Sequence, residues 1–138
     1  MRCRQAVRAA LLDTVGCPEA LSCAVGSVVQ PPLDGVDFYA FSYFFDRGQQ
    51  AGLPVDTVIT AAQFGDAAVR ICDVQEPAAA AGDAEGKLCT EISFMAALLI
   101  DAYGFKRSAP LTIAKRIDGF ETSWTLGAMI SLLADSRY

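Results

Sequence analysis

The chain has 138 residues, enough for one domain with one hydrophobic core. Hydrophobic residues make up 53% of it, which indicates either a well-buried domain or part of a larger protein with an uncovered interface. The net charge of -5 argues against a nucleic-acid polymer as partner, and the lack of histidine excludes imidazole as a metal ligand or general base.

The first half of the chain predicts one helix, two strands and their connections. Apolar spacing predicts a helix over 4–12, and the run 24–29 predicts a short strand. Two prolines within 30–35 indicate a connection, because proline donates no hydrogen bond to a sheet. The aromatic run 37–45 predicts a buried strand that leads into a helix, and a loop is expected over 53–56.

The second half begins with helical patterns. Thr60 and Gln63 fit a capping box, so a helix is expected from this point to about Ile71. The stretch 77–87 is rich in Ala and Gly and predicts a loop. The clearest helix of the chain is predicted over 89–102, where the apolar residues form one stripe.

The end of the chain predicts a strand and a last helix. Gly104 is placed to end the preceding helix, and the alternating run 111–117 predicts a strand. Thr122 or Ser123 is expected to cap a helix that continues to about Leu133. The resulting order, α-β-β-α-α-α-β-α, is typical of a mixed α/β domain.

The five cysteines allow two interpretations. Their spacing suggests two small disulfide-closed loops, Cys17 with Cys23 and Cys72 with Cys89, and leaves Cys3 over. Five buried free thiols in a reducing compartment fit the spacing equally well. A zinc site is not expected, because the chain has neither histidine nor a CxxC pair.

No stretch of the sequence predicts a membrane-spanning helix. The longest apolar candidates, 92–100 and 124–133, fall short of the ~18–20 residues that a bilayer requires. The N-terminus does not fit a signal peptide, since Arg8 and Asp13 interrupt its apolar stretch. If the mature protein is secretory, we expect its signal to lie outside this chain.

Motifs of the common catalytic classes are absent from the sequence. It contains no phosphate-binding P-loop, dinucleotide fingerprint, nucleophile elbow or zinc-protease helix. Four carboxylates stand near other candidate residues, but solvated or capping roles explain them more simply. These are Asp46, Glu91, Asp101 and Glu121.

Aromatic side chains are the stronger functional signal. In the predicted strand, a period of two places Phe41, Tyr43 and Phe45 on one face and Phe44 on the other. Most of these rings are expected in the core. One ring at the strand end, together with Tyr103 at a helix end, has the geometry to stack on a flat base.

The last predicted helix carries two further candidates. Trp124 is the only tryptophan of the chain, and core anchoring is the usual role of such a residue at a helix start. Gly127 lies inside the helix, where glycine costs ~1 kcal/mol relative to alanine. Its presence suggests the close approach of another backbone or of a ligand.

Four stretches of the sequence resemble the apyrase family of nucleoside di- and triphosphate hydrolases. They occur in the family's order and cover almost the whole chain. The matching runs are CRQA at 3–6 with CP at 17–18 and QPPL at 30–33, FYAFS at 38–42 with FFDR at 44–47, DAYGF at 101–105, and ETSWTLG at 121–127.

The resemblance implies an α/β fold in which 1–138 is a single segment of the C-terminal lobe of an actin-like, ribonuclease-H-like protein. The segment would hold a mixed sheet with flanking helices. The family's phosphate-binding lobe, with its loops and water-activating Glu, is absent from this sequence. We therefore expect the isolated chain to be inactive and to hold no metal ligand, with Ca or Mg bound mainly by the missing part.

The resemblance also assigns roles to single residues. Phe45 and Tyr103 match the two aromatic residues that sandwich the nucleobase, and Arg47 is a further base contact. Three residues of the last conserved region, Glu121, Trp124 and Gly127, are expected to have structural roles near the cleft.

The cysteine pattern takes on a definite interpretation through the resemblance. It implies the disulfides Cys17–Cys23 and Cys72–Cys89, with Cys3 paired to a cysteine outside the chain.

The expected partners are nucleoside di- and triphosphates, ATP included. The expected location is the secretory pathway: the Golgi or ER lumen, the cell exterior, or a membrane reached through segments outside this chain. The alternative is a truncated, non-catalytic module that binds nucleotides or another protein.

Overall fold

A computed structural model of the chain describes residues 2–11, 23–75, 84–121 and 124–135. Helices and strands are mixed along this part of the chain, with α3 and α4 in succession and three strands between α4 and α5. The helices are α1 (Arg2–Leu11), α2 (Tyr43–Gln50), α3 (Ala61–Gln75), α4 (Ala84–Ala97) and α5 (Trp124–Asp135), and the strands are β1 (Tyr39–Ala40), β2 (Thr57–Thr60), β3 (Pro110–Ile113), β4 (Arg116–Ile117) and β5 (Phe120–Glu121).

The main sheet is mixed and has the strand order β1-β3-β2. Strand β1 runs parallel to β3, with Tyr39 opposite Thr112, and β2 runs antiparallel to β3, with Ile59 opposite Leu111. Helices α3 and α4 pack against each other beside this sheet. The predicted α/β architecture with a mixed sheet and flanking helices is therefore confirmed.

The hydrophobic core lies between the central strand and helices α3 and α4. Its largest fully buried side chains are Phe64 of α3, Ile92 of α4, and Leu111 and Ile113 of β3. Helix α2 packs on this core at the buried Gly48, where an added Cβ would be in ordinary van der Waals contact, 3.7 Å from both Ile113 and Leu53. The core thus fixes α2, which carries Phe45 and Arg47, and α4, whose continuation leads to Tyr103.

The predicted capping box at the start of α3 is confirmed. The Thr60 backbone amide donates to Gln63 Oε1 at 2.8 Å, which satisfies a donor that has no partner within the helix. The helix ends at Gln75 rather than near Ile71, and its Cys72 is bonded to Cys89 of α4.

The aromatic run 37–45 does not form the predicted long strand. Only Tyr39–Ala40 is extended, and the chain turns at Ser42, which has a φ of 56°. The Asp46 amide then donates to the Ser42 carbonyl at 3.0 Å, inside the first turn of α2. Because Phe45 lies in a helix, the predicted alternation of rings between two faces is wrong.

Two other strand predictions also need correction. The run 24–29 forms a 3₁₀ turn, Val25–Ser27, in which Gly26 has a φ of 65°, flanked by a single bridge between Cys23 and Val29. The run 111–117 is divided, since β3 ends at Ile113 and β4 begins at Arg116. The strand β2 was not predicted.

Strands β4 and β5 form a hairpin that the sequence analysis missed. The connecting residues Asp118 and Gly119 have φ values of 50° and 81°. Two successive positive φ values define the tight hairpin turn that Asp-Gly favours. The hairpin places Glu121 opposite Arg116.

The fourth and fifth helices differ from their predictions in extent and in burial. Helix α4 begins at Ala84, inside the predicted loop 77–87. Helix α5 has no buried residue, and Trp124 is 82% exposed. The predicted core role of Trp124 is therefore wrong for this chain. Among the described residues, a Cβ on Gly127 would meet nothing within 4 Å, so they show no close approach at that glycine.

Two sequence predictions fall partly or wholly outside the described residues. The proposed helix caps Thr122 and Ser123 lie outside them, as does the part of the predicted loop before Ala84. Within the described residues, no helix combines the length and apolar character that a membrane crossing requires.

Candidate functional site

The end of helix α4 holds Tyr103 on a defined backbone. A π-helical segment, Leu98–Ala102, continues the helix, and the Tyr103 amide donates to the Leu98 carbonyl at 2.9 Å. Such wide turns are frequent at functional sites. Gly104 then adopts a φ of 71°, and the Phe105 amide donates to the Leu99 carbonyl at 3.0 Å. The predicted role of Gly104 as helix terminator is confirmed.

Two contacts tie this helix end to the segment that enters β1. The buried ring of Phe105 packs edge-on against Phe38, with ring centroids 4.7 Å apart. The Gln30 side-chain amide donates to the Tyr103 carbonyl at 2.8 Å. These two contacts hold residues that are far apart in sequence next to Tyr103.

Tyr103 stands between two clefts. The apolar cleft has a volume of about 440 Å³, and the Tyr103 ring at its edge is 38% exposed. The polar cleft beside it is open and has a volume of about 910 Å³. Gln30, Leu33, Phe38 and Phe105 line both clefts; Tyr39, Ala40, Phe41, Phe44, Leu99 and Leu111 line the apolar cleft alone.

Three of the charged side chains that line the polar cleft, Asp34, Asp101 and Lys106, are in ion pairs. Lys106 Nζ lies 2.6 Å from Asp34 Oδ1, and both side chains are exposed. Arg4 of α1 binds both carboxylate oxygens of Asp101, at 2.9 and 3.0 Å. Exposed pairs contribute only ~0–1 kcal/mol, whereas the two-point contact of Arg4 orients α1 against the end of α4.

The structure does not place Phe45 beside Tyr103. Phe45 is 6% exposed and belongs to the core cluster, and it lines neither of the two clefts. A covered ring has no free face for a base, so the expected stacking role does not agree with this position. Phe41 and Phe44 of the same run line the apolar cleft instead. The assignment of Phe45 came from the family resemblance, and its role in base binding stays a prediction.

Arg47 also lies outside both clefts. Its Nε atom is 2.9 Å from Glu91 Oε2, and its guanidinium lies over the Tyr43 ring, 5.0 Å from the centroid. The polar contact with Tyr43, and then the charge of Glu91, raise the pKa of Arg47 above its ordinary value. The guanidinium therefore stays charged and links α2 to α4. Its predicted role as a base contact gains no support from this position.

The other predicted site residues lie away from the clefts. Glu121 and Trp124 are exposed, and neither these two nor Gly127 line the apolar or polar cleft. Among the described residues, no group of three or more acidic or cysteine side chains is arranged to hold a metal ion. The structural roles expected for these three residues stay predictions.

One of the two predicted disulfides is present among the described residues. Cys72 of α3 is bonded to Cys89 of α4, with their Cα atoms 4.9 Å apart. Cys23 is also disulfide-bonded. Its predicted partner Cys17 lies outside the described residues, so that pairing stays a prediction, as does the free or external pairing of Cys3.

The glycine that ends α4 gives a direct test of this local geometry. We expect Gly104→Ala to lower the free energy of unfolding by ~1–2 kcal/mol, because a side chain disfavours the left-handed backbone conformation. A Cβ at this position would meet nothing within 4 Å, so steric overlap adds no cost. Gly104→Asn should cost less, since asparagine tolerates this conformation. Urea unfolding measures both changes, and equal stability of all three proteins would contradict the assignment.

Comparison with known proteins identifies the family. A family model described as GDA1/CD39 (nucleoside phosphatase) matches residues 1–138. The chain is 35% identical over 120 residues to ectonucleoside triphosphate diphosphohydrolase 5 of Gallus gallus, which covers 83% of this chain and 27% of that protein.

Two further relatives agree with this match. Identity to nucleoside diphosphate phosphatase ENTPD5 of Homo sapiens is 32%, over 83% of this chain and 27% of that protein. A probable guanosine-diphosphatase of Aspergillus fumigatus is 30% identical over 96% of this chain and 28% of its own length. The chain thus spans little more than a quarter of these relatives, and it belongs to the GDA1/CD39 nucleoside phosphatase family.

Proposed function

We propose that this chain supplies the nucleobase-binding wall of a nucleoside di- and triphosphate phosphohydrolase. The observation that carries the proposal is the exposed Tyr103 ring at the edge of an apolar, aromatic-lined cleft of about 440 Å³. Base–aromatic stacking contributes ~1–3 kcal/mol per base and tolerates different bases. Of the two rings expected to clamp the base, Tyr103 lines this cleft and Phe45 does not; Phe41 also lines it, and we propose Phe41 as the second ring.

The chemistry of hydrolysis would come from the other part of such an enzyme. The names of two relatives denote nucleoside diphosphatases, and this chain covers only 27–28% of them. We propose that Ca or Mg, bound mainly by that other part, assists attack of water on the terminal phosphate. The chain alone is then inactive in hydrolysis. A secretory compartment is the proposed location, in keeping with the disulfide Cys72–Cys89.

The second candidate is a non-catalytic module that binds a nucleotide or another protein. Helix α5 favours it, because Trp124 and four aliphatic side chains around the helix are all more than half exposed; the four are Leu126, Ile130, Leu132 and Leu133. Apolar surface of this extent is typical of a protein-binding face. The second function would be favoured if the nucleotide contacted only α5 or did not bind to the chain at all.

Saturation-transfer NMR on the chain with guanosine diphosphate tests the base site. We expect the base protons to receive more magnetisation than the ribose protons, because the ring contacts Tyr103. Tyr103→Ala should weaken binding by about 5- to 150-fold, the equivalent of the ~1–3 kcal/mol of one stacked ring.

Two matched variants control this measurement. Tyr103→Phe keeps the ring face and should bind almost normally, and Phe120→Ala removes an exposed ring that lines neither cleft. Unchanged binding by Tyr103→Ala, or equal losses with Phe120→Ala, would show that Tyr103 does not hold the base.

A further inference from the structure

Both backbone groups of Tyr103 take part in hydrogen bonds. The amide donates to the Leu98 carbonyl at 2.9 Å, and the carbonyl accepts from Gln30 Nε2 at 2.8 Å. Carbonyls in the last turn of a helix have no partner within the helix. Gln30 therefore supplies the donor that this helix end lacks, from a position 73 residues away in sequence.

The hydrogen bond from Gln30 restrains the peptide plane between Tyr103 and Gly104, which would otherwise rotate easily. The Tyr103 carbonyl belongs to the peptide that joins Tyr103 to Gly104, and glycine offers little steric resistance to rotation. On the other side of the glycine, the Phe105 amide is held by Leu99 at 3.0 Å. Loss of the bond would release this helix end from the segment that begins at Gln30, so the Tyr103 ring would no longer keep one position relative to the other walls of the apolar cleft.

Gln30 is well placed to hold Tyr103 in one position. It lies where the apolar and polar clefts meet and lines both of them. Pro31 and Pro32 follow directly, and each proline fixes its own φ and restricts the residue before it. The backbone that carries the Gln30 side chain is therefore restricted and holds the Gln30 Cα in one place.

We propose that Gln30 is a positioning residue for Tyr103 and that it sets the direction of the ring that stacks on the nucleobase. The proposal rests on the proposed function of Tyr103. Gln30 acts by donating a hydrogen bond from its side-chain amide to the Tyr103 carbonyl. The carbonyl oxygen of the Gln30 side chain is not required. A side chain of similar reach that keeps only a donor should therefore replace it.

Two substitutions separate the donor from the rest of the side chain. Gln30→Met keeps the length and removes the donor, whereas Gln30→Lys keeps a donor and removes the carbonyl. We expect Gln30→Met to weaken guanosine diphosphate binding by about three- to tenfold, up to the worth of one hydrogen bond, in a chain that is still folded at the assay temperature. Gln30→Lys should restore the affinity. Gln49→Met, on the exposed face of α2, is the matched control and should bind like the original chain.

A second readout does not depend on nucleotide. With fluorotyrosine incorporated, the ¹⁹F signal of Tyr103 reports the surroundings of its ring in the free chain. Gln30→Met should shift or broaden this signal, and Gln30→Lys should return it to its original position. The signals of the other tyrosines should not move.

The outcomes separate this proposal from the proposed function. An unchanged Tyr103 signal in Gln30→Met overturns the positioning role, whatever the affinity. If Gln30→Met weakens binding and Gln30→Lys does not restore it, Gln30 contacts the base directly and the proposal also fails. A chain that binds no guanosine diphosphate refutes the proposed function, while the fluorine signal still decides how Tyr103 is held.

Discussion

Replacement of Phe64 by alanine should lower the free energy of unfolding by about 3–5 kcal/mol. The Phe64 side chain is fully buried, and its ring meets Phe44 edge-on with centroids 5.6 Å apart. Gly48 of α2 lies on another side, where an added Cβ would be 3.8 Å from the Phe64 ring. The cavity would be bounded by two helices and the sheet, so its walls have little freedom to collapse.

Trp124→Ala is the matched control for that large effect. Trp124 is a larger side chain than Phe64, yet it is 82% exposed. Substitutions at such positions usually change stability by less than about 0.5 kcal/mol. Urea unfolding followed by far-UV circular dichroism compares the two variants. A loss at Trp124 that approaches the loss at Phe64 would mean that α5 packs against the rest of the chain in solution.

The comparison of these two residues shows where the sequence is informative about burial and where it is not. The apolar stripe of 89–102 predicted the buried side of α4 correctly, because a one-sided stripe has only one way to face a core. Helix α5 is apolar on all sides, and its sequence resembles that of a core helix. Nothing in its own pattern distinguishes a buried helix from one that this chain leaves exposed.

Local signals were reliable where they depend on neighbouring residues alone. Thr60 and Gln63 stand three residues apart and close their capping box without help from other elements. Gly104 ends α4 for a similarly local reason. The Asp118-Gly119 turn belongs to the same class, and the pair was available in the sequence as a hairpin signal.

The aromatic run 37–45 shows how tertiary structure overrides a local preference. Its residues favour strands, but the sheet accepts only Tyr39 and Ala40 as partners of β3. Beyond them the chain turns at Ser42, and α2 carries Phe45 into the core. As a result Phe41 and Phe44 line the apolar cleft and Phe45 does not.

The candidate site combines one residue that the sequence identified and one that it missed. Tyr103 was found because its position at a helix end, before a glycine, is visible locally. Gln30 was seen only as part of the matching run QPPL, since its contact with Tyr103 joins residues 73 positions apart. Contacts of this kind follow from the packing of the sheet and helices, and no local pattern predicts them.

Removal of the Cys72–Cys89 disulfide should lower the free energy of unfolding by about 3 kcal/mol, the chain-entropy value for a loop of roughly this length. The bond closes a loop with a sequence separation of 17 and joins α3 to α4. Both helices keep other contacts, because Phe64 and Ile92 remain buried between them and the sheet. The native fold should therefore persist, and the loss should appear as reduced stability.

The double variant Cys72→Ala with Cys89→Ala, compared with the original chain under oxidising conditions, measures this loss. Reductant alone is a poorer test, since it also breaks the disulfide of Cys23. In the double variant, urea unfolding should shift to lower denaturant while the circular dichroism spectrum stays the same. Adding reductant to it should then reveal only the contribution of the remaining bridge. Equal stability of the oxidised original and the double variant would contradict the assigned role. A changed native spectrum would show instead that the bond, rather than the core, holds α3 against α4.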